Sequence, residues 1–407
     1  MTEKSRKILS IVILSLGYVL GTTTGQMASA DSSIRWNGFF TGAYSQSDNE
    51  YSYGRFYQIT KEGSYLSDTR LGLQGTAKIN EKVTLTTQFV AKNNRDNFAV
   101  NANWLFANLT LKPGLDLKLG RMQQPIYLFS SQLEAGYSTP WVRPPLEVYE
   151  QQFFNDYTGI ELQFKKYLFE HDITLKLIHG VQNNNITSPT LANVFGVLKP
   201  IDEELSSDDY VGVVLQFEGD FYRVSVAGVN QTLKVSLDPV ALNTLFRQTT
   251  TECLTASSEC LRLTAVNAVI TSRFDGTETA VDGDLWSIGI DMKISGIRLI
   301  SEYVQRTVST FTRQATYVSL LYATGATTPY LTLGYHNTKG EDSIDPQTQS
   351  SIALGLRYEW MANTAFKIEL LNADPKDGNR GLFDVGYTGD VTMESLNSIT
   401  IALDMIF

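Results

Sequence analysis

The feature that most constrains this chain is a two-residue alternation of apolar and polar side chains that returns from one end to the other. Successive side chains of a β-strand point to opposite faces, so each such segment presents one apolar and one polar surface. The clearest is Ser350–Met361, with Ile352, Leu354, Leu356, Tyr358 and Trp360 on one face and Ala353, Gly355, Arg357 and Glu359 on the other. In the first half the pattern returns over Ile34–Tyr44, Ser67–Lys78, Val83–Lys92, Asn103–Lys112, Leu115–Arg121, Asp156–Lys166, His171–Gln182, Asp209–Glu218 and Phe221–Leu233. In the second half it continues over Asp284–Ile294, Ile297–Thr307, Thr312–Ala323, Pro329–Asn337, Thr364–Asn372 and Asn397–Phe407. The spacing predicts sixteen strands, each about as long as a tilted strand that crosses a bilayer.

The connections alternate as well. Segments 45–66, 93–102, 122–155, 183–208, 234–283, 308–311, 338–349 and 373–396 lie on one side, and only 308–311 among them is short. Segments 79–82, 113–114, 167–170, 219–220, 295–296, 324–328 and 362–363 lie on the other, and all are short. Short inner turns and long outer loops are the habit of bacterial outer-membrane barrels. A soluble sandwich would alternate too, but it would not impose this rhythm, and a β-helix would show a short fixed repeat, which is not visible.

Both ends fit the same expectation. The last strand places Ile399, Ile401, Leu403, Met405 and Phe407 on one face, and the chain stops on the aromatic. A barrel strand ending in the interfacial aromatic girdle reads this way, so Leu403, Met405 and Phe407 are candidate assembly residues. At the other end, Lys4, Arg6 and Lys7 precede an apolar run from Ile8 to Leu20 and an Ala28-Ser29-Ala30 cleavage motif. That predicts a signal peptide over 1–30 and a single barrel domain over 31–407. No later run is apolar enough for a transmembrane helix.

Removing 1–30 takes Lys4, Arg6, Lys7 and Glu3, so the net charge moves from −10 to −12, which argues against nucleic-acid binding. Cys253 and Cys260 share one polar segment and are expected to pair as a local disulfide in an oxidising compartment. Only three histidines are present, none near the cysteines, so no metal site and no cofactor are expected.

Sixteen strands enclose a lumen too wide for side chains to fill, so the inner faces should be polar and wet. Read inward, the alternation gives Arg70, Gln74, Gln88, Lys118, Glu161, Lys176, Arg223, Asp291, Arg298, Glu302, Arg357, Glu359, Lys367, Glu369 and Asp404, among others, while the opposite faces are nearly all apolar. Segment 122–155 differs from the other outer loops. It carries Tyr127, Phe129, Tyr137, Trp141 and Tyr149 with several prolines, and an outer loop of that composition needs a surface to pack on. The inside of the barrel is available.

On the signal peptide, the sixteen strands, the Gly120-Arg121 exit from the fifth strand, the third loop and Phe407, the chain resembles the bacterial general porins, sixteen-stranded trimeric channels of the outer membrane. The resemblance implies a third loop folded into the lumen, with acidic loop residues facing basic residues of the wall. It points to Glu134, Arg143, Glu147, Glu150 and Tyr127 at the constriction and to Arg70, Lys92, Arg121, Gln74, Gln88, Lys118 and Arg357 on the wall. It also implies a homotrimer in outer-membrane lipid that passes small hydrophilic solutes and ions by passive diffusion. A substrate-specific channel for sugars, phosphate or another small anion is the alternative reading. An adhesin is compatible with the long loops. A barrel enzyme is disfavoured, because His171, His179 and His336 have no nucleophile motif beside them.

Overall fold

The computed structural model describes residues 34–54, 57–94, 97–151, 154–188, 201–237, 278–308, 311–339, 347–376, 379–384 and 393–407. The expected signal peptide and the cysteines Cys253 and Cys260 lie outside the described residues. The first eight strands are β1 (Ile34–Ser47), β2 (Arg70–Lys78), β3 (Val83–Asn94), β4 (Asn97–Lys112), β5 (Leu115–Gln123), β6 (Asp156–Leu168), β7 (His171–Ser188) and β8 (Ile201–Glu218). The second eight are β9 (Tyr222–Leu237), β10 (Glu278–Ile294), β11 (Ile297–Val308), β12 (Phe311–Tyr322), β13 (Thr327–Lys339), β14 (Thr348–Met361), β15 (Thr364–Pro375) and β16 (Leu396–Ile406).

Each strand pairs antiparallel with its neighbours in the chain, and β1 pairs with β16, so the sheet closes into a barrel without an edge. Closure satisfies every ladder and leaves no strand edge facing lipid. The seam is locked beyond the strands. Phe407 and Gly38 exchange two backbone hydrogen bonds, N–H to O at 2.6 and 2.9 Å. The Phe407 ring lies where a Cβ on Gly38 would have to be, so the terminal aromatic needs a glycine opposite it.

The faces sort as the alternation requires. Outside, Ile352, Leu354, Tyr358 and Trp360 on β14, with Leu71, Leu73, Leu85 and Phe89 on β2 and β3, are exposed. In water so much exposed apolar surface would aggregate; against acyl chains it is matched. Inside, Thr400, Ala402 and Asp404 of β16 are enclosed.

One connection departs from the expected rhythm. Segment 93–102 is not a long loop, because β3 and β4 stay paired out to Asn94↔Asn97 and only 95–96 joins them. Polar residues continue the ladder beyond the apolar stretch, since backbone pairing does not require apolar side chains. At 308–311 the expected short connection holds, since β11 and β12 stay paired out to Val308↔Phe311.

Candidate functional site

The segment between β5 and β6 runs inside the barrel. Its first part, Ile126 to Phe129, lies against β9 to β12. Ser287 on β10 donates to the Ile126 carbonyl at 2.7 Å. Glu302 on β11 accepts from the Leu128 N–H at 2.9 Å and from the hydroxyls of Tyr149 and Tyr317 at 2.5 and 2.8 Å. The Phe129 ring meets Trp141 edge-on at 5.3 Å, with Arg223 and Arg298 at 5.1 and 5.8 Å from its centroid.

The chain then crosses to the opposite wall. Lys92 on β3 donates to Glu134, and Asn103 on β4 reaches the same carboxylate oxygen at 3.4 Å. At Gly136 the backbone presses on β1 and β16, because a Cβ there would collide with Asp404 and Thr41. Beside it the Lys367 ammonium on β15 donates to the carbonyls of Gly136, Thr139 and Trp141 at 2.7, 2.8 and 2.7 Å. The same ammonium pairs with Asp404 at 2.9 Å, and neither side chain is exposed. Arg357 on β14 donates to the carbonyls of Tyr137 and Thr139 at 2.7 and 2.8 Å. The Trp141 indole N–H reaches Ser319 and Thr332 at 3.0 and 3.1 Å.

A second ionic anchor follows. Arg143 forks onto Asp68 at 2.7 and 3.0 Å, donates to Ser45 on β1 and Thr400 on β16, and lies 4.0 Å from Glu369. Burial pushes the Asp68 carboxyl up, but Arg143 outweighs it and holds the group below its ordinary 3.8. Burial likewise acts on Glu134, and Lys92 and Arg70 hold it below its ordinary 4.5. The segment ends in a one-turn helix, α1 (Leu146–Tyr149), where Gln349 donates to Glu147 at 2.9 Å.

These positions correct several expectations. Tyr127, Arg143, Glu147 and Glu150 do not face a passage: they are 2, 3, 3 and 9 % exposed and hold the loop to the wall. A carboxylate or guanidinium is solvated equally well by a fixed partner, and a loop of this composition docks only if such partners are supplied. Of the loop candidates only Glu134 keeps a partly open side chain, at 11 %. Arg70 and Gln88 face inward but are buried, with Gln88 donating to Gln74 at 3.1 Å.

Arg121 is on the wrong face. It pairs with Leu105, which is exposed outward, and its guanidinium meets Asp156 at 2.8 Å on the outer surface. Lys118 points inward to Glu161 at 2.7 Å, and three positions of a strand reverse the face. Asp68 lies just before β2, inside the expected segment Ser67–Lys78 and in phase with Arg70, but its role is identified only by the arginine that folds onto it.

The charged side chains that keep some exposure in these lumenal pairs are Lys92 (29 %), Lys118 (23 %), Arg223 (22 %), Arg298 (31 %) and Arg357 (12 %). Their anionic counterparts are Glu134 (11 %), Asp291 (13 %) and Glu359 (38 %). The wet surface of the described lumen therefore leans basic although the whole chain is acidic.

Comparison with known proteins agrees with this architecture. The family model described as Gram-negative porin matches residues 18–378. Among curated protein sequences, no relative matches the chain. Among solved structures, the anion-selective porin from Comamonas acidovorans is similar at 14% identity and a TM-score of 0.53, over 92% of this chain and 100% of that one. The trimer form of OmpT from Vibrio cholerae, an outer membrane protein, is similar at 10% identity and 0.53, over 92% and 99%. OmpF of Salmonella typhi, in complex with daunomycin, gives 12% and 0.50, over 92% and 98%. At these identities the structural likeness is one of fold.

Proposed function

Because the chain belongs to the Gram-negative porin family, and so forms a channel in the outer membrane, we propose that it passes small hydrophilic solutes and ions by diffusion, with a weak preference for anions. One observation carries this reading: the third loop lies inside the barrel on buried ionic anchors, beside a lumenal wall whose exposed charges are mostly cationic. A loop fixed in this way narrows the passage without closing it, and charges on low-dielectric walls bias the ions that enter. Glu134 with Lys92 is the pair of opposed charges at the narrowing. Arg223 and Arg298 on Asp291, and Lys118 on Glu161, continue the basic surface along the wall.

The acidic net charge pointed mildly to cations, but it includes outer loops that no permeating ion has to pass. The proposal includes a homotrimer in outer-membrane lipid, supported by the trimeric form of a structural neighbour. It also includes export by a signal peptide over 1–30, and Phe407 with Met405 and Leu403 as the assembly end. The family and the fold favour a channel over an enzyme. His171 sits at a turn against Tyr222, and His336 is enclosed in the barrel wall. The test is the reversal potential across a planar bilayer in a KCl gradient, together with swelling of liposomes in sugars of graded size. The proposal expects a modest anion-selective potential and uptake that falls with solute size. A cation-selective potential overturns the preference, and swelling by a single sugar regardless of size supports a substrate-specific channel.

A further inference from the structure

Building on the channel reading, we propose that Gln349 is the positioning residue through which two outer connections set the third loop, so that the aperture depends on the state of the outer surface. Gln349 is the second residue of β14, at the outer end of that strand, and is fully enclosed, at 0% exposure. Its amide joins three stretches of chain that are remote in sequence. The nitrogen donates to the Tyr53 hydroxyl at 2.7 Å and to the Glu147 carboxylate of α1 at 2.9 Å. The oxygen accepts from the Leu382 N–H at 3.0 Å. An amide suits this place because it offers two donors on one atom and an acceptor on the other.

The two outer segments are also bound to each other. Tyr53 and Phe383 form an antiparallel bridge, and their rings meet edge-on at 5.4 Å. The Gly54 N–H donates to the Leu382 carbonyl at 3.1 Å, and the Asp384 N–H to the Ser52 carbonyl at 2.8 Å. Tyr53, Ile59, Leu382 and Phe383 share one apolar cluster with Leu146 of α1, the residue beside Glu147. The end of the third loop is therefore held by the outer segments as well as by the barrel wall. Coupling between separate parts of a fold is carried by such continuous packing and hydrogen bonding.

Two details give Gln349 control of this contact. The Glu147 carboxylate is enclosed, and among the described residues no cation pairs with it, so Gln349 is the side chain that donates to it. A buried carboxylate is costly without its donor, so α1 has to follow the amide. From the other side, Gly381 fixes where the amide sits. Its φ is +54°, and a Cβ there would lie 2.5 Å from the Gln349 amide oxygen. The atoms nearest to that Cβ belong to Gln349 and Pro375, not to the third loop. A change confined to the outer segment thus reaches α1 only through Gln349.

The test follows hydrogen exchange, peptide by peptide, in the purified full-length protein in detergent, together with single-channel noise in a planar bilayer. Exchange does not depend on conduction, so it can fail while the channel reading stands. Gln349→Leu should speed exchange over 146–151 about tenfold or more, as expected for losing a hydrogen bond to a charged group, and should raise the open-channel noise. The ladder between β1 and β16 should exchange as in the parent. Gly381→Ala, made in the outer segment alone, should move α1 and the noise in the same direction. Gln349→Glu sets two carboxylates against each other and should loosen α1 further. Adding Glu147→Gln again places a donor opposite an acceptor and should bring exchange back toward the parent, a rescue that a general loss of packing would not show. If Gln349→Leu and Gly381→Ala speed exchange only in 48–54 and 379–384, the amide closes the outer segments without setting the third loop, and the proposal is overturned. A double variant no slower to exchange than Gln349→Glu overturns it as well.

Discussion

Replacing Lys367 by methionine should free the third loop while leaving the barrel standing. The ammonium is enclosed, donates to three loop carbonyls and pairs with Asp404. Methionine keeps most of the volume but takes the charged donor from all three carbonyls, of which Thr139 keeps Arg357, and leaves a carboxylate whose remaining bond is from Thr41. Removing one partner of a buried ion pair costs about 3–5 kcal/mol. At about 1.4 kcal/mol per factor of ten, the loop-detached population rises by roughly two to three and a half powers of ten. The barrel ladders are untouched, so this cost falls on local opening and not on global unfolding. Single-channel recording should show a noisier open level of higher mean conductance, and chymotrypsin should cut after Tyr137 faster. Combining Lys367→Met with Asp404→Asn should recover part of the loss, because the stranded carboxylate is gone. If Lys367→Met folds, conducts with wild-type amplitude and noise, and resists chymotrypsin as well as the parent, the buried pair does not hold the loop.

Three further outcomes follow from the same anchors. Asp68 and Glu134 are held below their ordinary values of 3.8 and 4.5, so the stability they give the docked loop is complete above those values and is lost as pH falls through their lower folded ones. Channel noise should therefore rise only at pH below about 4, and Asp68→Asn should show that noise already at neutral pH. Glu134→Gln should shift the reversal potential further toward anions by unmasking Lys92, whereas Glu147→Gln, enclosed and still within reach of Gln349, should leave selectivity unchanged. Gly136→Leu should displace the loop at a cost of about 1–3 kcal/mol, since its side chain would occupy the space of Asp404 and Thr41; conductance that matches the parent would refute the close approach.

The barrel was legible in the sequence because each strand must show lipid one face and water the other, and alternation records that directly. All sixteen strands appear where the period placed them, and Phe407 sits on the seam. Strand ends were less legible, since the ladder between β3 and β4 continues through polar residues that carry no apolar signal. Arg121 was misplaced although parity with Lys118 already separated their faces. The third loop was marked by its aromatics, and its burial follows from them. Its individual partners were not readable: Asp68, Glu302 and Lys367 are far from the loop residues they hold along the chain and meet them only through the fold. For that reason Arg143 and Glu147, which look from sequence like residues at an aperture, are anchors behind it.

The most direct measurement of the central claim is single-channel conductance in a planar bilayer across a series of KCl concentrations. A wet cylinder narrowed by a fixed loop should give discrete steps that grow in proportion to bulk conductivity. Insertion without steps, or a conductance that saturates at low salt, would contradict an open aqueous path through the barrel.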